Sequence, residues 1–107
     1  MVDMKLWIDD VRPAPEGYCW IKTVEVAKEY IEKLEQPLNY FFWGKVEIID
    51  IDHDAGEYVE RGGDYIKLLD WLEETGRNYP IRIHSMNPVG VENMRRIIQR
   101  NGWTEVR

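Results

Sequence analysis

The chain has two histidines, His53 and His84, and each follows a short, β-prone apolar run. His53 stands in Asp52-His53-Asp54, directly after "VEIIDI" (46–51), and His84 lies within "PIRIHS" (80–85), beside Ser85. A third run, "MKLWI" (4–8), ends in Asp9-Asp10, with Arg12 two residues further on. Two histidines suit general acid and base work near neutral pH, one removing a proton and the other returning one. The carboxylates of Asp9, Asp10, Asp52 and Asp54 suit a divalent metal such as Mg²⁺, or the orienting of an imidazole. Arg12, Ser85 and Asn87 suit the oxygens of a phosphate. Asn87-Pro88 reads as a helix cap followed by a first-turn proline, so the backbone amides of Val89 and Gly90 and the helix dipole face an anion. Together these residue types fit a phosphate ester better than a peptide or a hydride donor. The chain has no nucleophile elbow, Walker loop or G-x-G-x-x-G.

Taken singly, each motif has a plainer explanation. Asp9-Asp10 suits two solvated loop acids, "DHDAG" an Asx turn, and His84 a core histidine bonded to backbone. The alternation of Asp50, Asp52 and Asp54 imitates a calcium loop, but Ala55 stands where the turn glycine belongs and Arg61 where the bidentate acid belongs. The convergence of three such motifs on strand ends favours a site.

The elements that must position them follow from periodicity and breakers. Strands are expected at 4–8, 18–22, 46–51, 80–85 and 103–106. After a Thr23 cap, Val24, Ala27, Ile31 and Leu34 repeat at helical spacing over 24–35. A second helix is expected after Asp64 as cap, with Ile66, Leu69 and Leu72 inward and Gly76 as terminator. A third runs from Pro88 to about Asn101-Gly102, burying Val91, Met94, Ile97 and Ile98. The segment 10–17, with Pro13, Pro15 and Gly17, is too short and broken for a helix. The connector 36–45 carries four aromatics and reads as a flap over a core edge. Strands alternating with single helices imply an α/β fold, doubly wound and flavodoxin-like: a three-layer sandwich on a mostly parallel five-stranded sheet, its first helix missing or vestigial. Ligands of such sheets bind at the carboxyl ends of the strands, where all three motifs fall.

At 107 residues the chain reads as one domain, 1–107. Its net charge of −6 argues against general duplex nucleic-acid binding. A lone Cys19 and an acidic start, "MVDMKLWIDD", suit a reducing, cytoplasmic setting without a leader. No apolar run approaches the roughly 20 residues of a membrane span.

Asp9-Asp10, Asp52 and Ser85 at the ends of the first, third and fourth strands resemble a two-component receiver domain. That resemblance implies Mg²⁺ at Asp9 and Asp10 and a phosphoacceptor at Asp52. The chain departs from it in having no lysine at its last strand, "WTEVR". A closer likeness is to the cyclic-phosphate processing receiver-like domain family. It rests on "DDVR" (9–12), "DHDAG" (52–56), "GDYIKLLDWL" (63–72) and "IHSMNPVGVENM" (83–94), which span most of the chain. It implies a phosphoesterase, a hydrolase of cyclic phosphates such as the 2′,3′-cyclic phosphate of a nucleotide or RNA end. His53 and His84 would then be its acid–base pair, the four aspartates an acidic pocket, and Arg12, Ser85 and Asn87 a phosphate cradle. The alternatives are a signalling receiver phosphorylated on Asp52 and a non-catalytic module that binds a nucleotide or an acidic partner.

Overall fold

In the computed structural model the described residues are 2–36 and 44–107. The elements follow in the order β1 (Val2–Ile8), β2 (Tyr18–Ile21), α1 (Val24–Glu35), β3 (Gly44–Ile51), a 3₁₀ turn (Gly56–Tyr58), α2 (Ile66–Glu74), β4 (Ile81–Ile83), α3 (Pro88–Asn101) and β5 (Glu105–Val106). All pairings are parallel and the sheet order is β2-β1-β3-β4-β5. This is the doubly wound, receiver-like order, and residues 9–17 join β1 to β2 without a helix, as expected. Of the aromatic connector, residues 37–43 lie outside the described residues.

Local signals explain most helix ends. Thr23 caps α1 by accepting the Val26 N–H at 3.0 Å, and Asn87 caps α3 by accepting the Gly90 N–H at 3.0 Å. Gly102 ends α3 in the left-handed conformation that favours glycine, with φ of 68°. The expected Asp64 cap on α2 is not made. That carboxylate instead accepts the Ala55 N–H at 2.9 Å, and α2 starts behind Tyr65 without a side-chain cap. The bond ties the two ends of the loop after β3 together.

The expected layers also differ at one point. The connections β2 to β3, β3 to β4 and β4 to β5 all step the same way along the sheet. Right-handed crossovers then put their three helices on one face. One buried cluster accordingly joins Leu6, Ile8, Ile49, Ile51 and Ile81 to residues of α1, α2 and α3. On α3 the buried stripe is Gly90, Met94, Ile97 and Ile98, with Val91 only half-buried. The opposite face carries a row in register: Trp20, Trp7, Asp50 and Arg82. Among the described residues no helix covers that row. The only connection that steps the other way, β1 to β2, is the one lacking a helix. No helix among the described residues is long and apolar enough to cross a membrane.

Candidate functional site

The sheet order reverses at β1, so the crevice for a ligand opens at the carboxyl ends of β1 and β3. Asp9, Asp10 and Asp52 meet there, each offering a carboxylate oxygen within 4.8 Å of the others. The loop that presents the first two is firmly tied. Asp9 Oδ1 accepts the N–H groups of Val11 and Arg12, both at 2.9 Å. The indole N–H of Trp7 donates to the Arg12 carbonyl and that of Trp20 to the Asp9 carbonyl, each at 2.8 Å.

The two neighbouring aspartates titrate in opposite directions. Burial works against ionising Asp9, but the amides of Arg12 and Val11, and then His84, outweigh it and hold its carboxyl below the usual range. Burial raises Asp10, and repulsion from Asp9 and Asp52 adds to the rise. Three crowded oxygen donors, one of them resisting ionisation, fit a hard divalent cation that would relieve the repulsion. Asp10 also packs close to the chain at Gly56, where an added Cβ would lie 2.3 Å from Asp10 Oδ2. Gly56, at φ of 57°, therefore lets the 3₁₀ turn approach the acidic trio.

The histidines occupy different environments. His84 stacks on Trp7, with ring centroids 3.8 Å apart and planes 4° from parallel. Its Nδ1 meets Asp50 Oδ1 at 2.6 Å and its Nε2 meets Asp9 Oδ2 at 2.9 Å. Asp50, 1% exposed, also accepts from Arg82 Nη1 at 3.0 Å. Both ring nitrogens of His84 are thus committed to buried carboxylates, and the residue belongs to the layer of the helix-free face.

His53 lies on the helix side. Its Nδ1 is 2.8 Å from Asp54 Oδ1, and Asn87 Nδ2 approaches the same pair at 3.5 and 3.4 Å. Its ring lies against Gly90, whose missing Cβ would stand 2.4 Å from His53 Cγ. Because a carboxylate only accepts, Nδ1 carries the hydrogen and Nε2 presents its lone pair. Among the described residues Nε2 has no hydrogen-bond partner, and the His53 side chain is 15% exposed. The two imidazoles share no hydrogen-bond partner among the described residues.

The phosphate-type residues are partly engaged. Arg12 Nη1 donates to the His84 carbonyl at 3.2 Å and keeps its other donors. Ser85 Oγ accepts the Asn87 N–H at 3.1 Å, which leaves its hydroxyl hydrogen free. The Gly90 N–H is taken by its Asn87 cap, so of the two helix amides expected to meet an anion the one left over is that of Val89. Gly90 makes room for His53. Sequence reasoning missed Asp50, Trp7 and Asp64. Asp64 joins His53 and Asp54 in a second group of metal-capable atoms lying within 4.8 Å of one another. Period-two spacing was the available signal, since Asp50 and Trp7 each stand two residues before a site aspartate.

Neither the curated proteins nor the solved structures gave a match to this chain. Its residues 4–100 match the family described as cyclic-phosphate processing receiver domain, and the chain belongs to that family.

Proposed function

We propose that the protein is a hydrolase that opens a cyclic phosphate ester, with His53 as its general base. The observation that carries this reading is the asymmetry of the histidines. Among the described residues His53 has one nitrogen fixed by Asp54 and the other without a partner, while His84 has both nitrogens held. Asp54 stabilises the imidazolium that forms when Nε2 takes a proton, the role a carboxylate plays behind a catalytic histidine.

In the proposed reaction, water adds to phosphorus and gives its proton to His53 Nε2. The ring P–O bond breaks, and the leaving alkoxide takes a proton from solvent. Arg12, the Ser85 hydroxyl and the Val89 amide hold the non-bridging oxygens. Asn87 steadies the Asp54–His53 pair while capping α3. Asp9, Asp10 and Asp52 would hold a divalent cation, which when bound supplies positive charge against the phosphate. His84 is a positioning residue that fixes the Asp9 carboxylate. The substrate is then a small phosphate ester or a nucleotide, and the enzyme needs no membrane.

Phosphorus NMR of glycerol 1,2-cyclic phosphate with the protein and Mg²⁺ tests the reading. A ring-opened monoester must appear, and a substrate that stays cyclic removes it. One observation favours a second reading, phosphotransfer to Asp52: its carboxylate stands with Asp9 and Asp10. A small phosphodonor with Mg²⁺ would then label Asp52, and Asp52→Asn would abolish the label.

A further inference from the structure

The acidic trio and His53 account for a phosphate and not for what the phosphate is attached to. Of the six exposed large apolar side chains among the described residues, four (Val11, Val59, Met86 and Val89) stand on the carboxyl-edge loops and the first turn of α3. Apolar groups left in water around a charged centre suit a ligand with an apolar part. A groove of about 560 Å³ opens at one of them, Met86, and is lined by Ser85, Met86, Pro88, Val91, Glu92 and Arg95. Pro88, Val91, Glu92 and Arg95 fall at helical spacings of three and four, so they form one face of α3. That face extends about 10 Å at 1.5 Å per residue.

We infer that this groove is the subsite for the nucleoside part of a nucleoside 2′,3′-cyclic phosphate. The inference rests on the proposed phosphoesterase reading. Ser85 belongs both to the groove and to the residues that would hold the phosphate, so a ligand anchored there continues into it. Met86, Pro88 and Val91 give apolar walls for the faces of a heterocycle, with the thioether of Met86 suited to an aromatic ring. Polar groups stand at the far end. The Arg95 Nε is bound to Glu105 Oε2 at 2.8 Å, which steadies the side chain and leaves its terminal nitrogens as donors. Glu92 supplies an acceptor. Heterocycle edges carry both kinds of group. A second groove, of about 470 Å³ between Thr23, Tyr58 and Arg61, is bordered by Glu57 and Glu60. It shares no residue with the phosphate-holding set.

The test uses the full chain with two probes, adenosine 2′,3′-cyclic phosphate and glycerol 1,2-cyclic phosphate, which lacks the base. Methyl NMR should show Met86 and Val91 shifting with the adenosine ester and not with the glycerol ester. Met86→Glu, at a site 81% exposed and so tolerant of the change, should raise KM for the adenosine ester about tenfold. It should leave kcat within about twofold, as expected where only uniform binding is lost. Methyls that do not move, or a KM unchanged in the variant, overturn the inference even if both esters are opened. Methyls that shift while neither ester is opened uphold the groove and overturn the phosphoesterase reading instead.

Discussion

Gly90 and His53 fit closely against each other in the site. The ring occupies the volume a Cβ would need, with Cδ2 at 2.6 Å as well as Cγ at 2.4 Å. Gly90→Ala therefore has to push the imidazole off Asp54. Helix propensity returns about 1 kcal/mol for replacing a helical glycine, while overpacking costs about 1–3 kcal/mol, so stability should change by less than about 2 kcal/mol. Turnover of a cyclic phosphate should fall at least tenfold, since a base shifted by about 1 Å loses its alignment. Thermal melting and steady-state kinetics on the same variant separate the two effects. The position of each histidine at a strand end was readable from the sequence, because apolar alternation marks where a strand stops. Their chemical states were not. His84 takes its two carboxylates from 34 and 75 residues away in the chain, and only the sheet register brings those residues together. His53 takes Asp54 from the next position, but its packing against Gly90 depends on where α3 docks.

At the scale of elements, the row Trp20, Trp7, Asp50 and Arg82 links the helix-free face to the crevice. Asp50 fixes His84, His84 fixes Asp9, and the two indoles fix the loop that presents Asp9 and Asp10. Cutting the row at Asp50 leaves a buried imidazole without its Nδ1 acceptor and Arg82 without its carboxylate. Asp50→Ala should cost roughly 3 kcal/mol, the scale for breaking a buried charged pair. Asp54→Ala, whose side chain is 59% exposed, should cost less than about 0.5 kcal/mol while still lowering turnover. Urea unfolding of the two variants gives the comparison, and equal losses would contradict this division of roles. Caps and stripes within one element were legible from sequence at Thr23, Asn87 and Gly102, because their partners lie within a turn. The cap assigned to Asp64 failed because its carboxylate bonds Ala55, across the loop. The helix missing between β1 and β2 was also legible, from Pro13 and Pro15. Its effect on the layers was not, since that follows from the direction of the crossovers.

At the scale of the molecule, the domain gathers acidic charge into one crevice at the switch point of its sheet. Burial and mutual repulsion keep Asp10 from ionising readily. A cation that binds the folded trio should therefore stabilise the fold, by about 2.7 kcal/mol at a hundredfold excess over Kd. For a domain near 100 residues that corresponds to a rise in Tm of roughly 10–20 °C. Mn²⁺ or Mg²⁺ should raise the melting temperature of the wild-type chain, and Asp10→Asn should remove most of the gain. In the proposed reaction His53 Nε2 performs the chemistry and His84 holds the site in shape. The decisive quantity is kcat for cyclic-phosphate opening in the wild type and in His53→Gln, with folding of the variant checked by melting. Ring opening by the wild type is expected, with a fall in kcat of about 10²–10⁴ in a folded His53→Gln variant. Undiminished opening in that variant would contradict this role of His53.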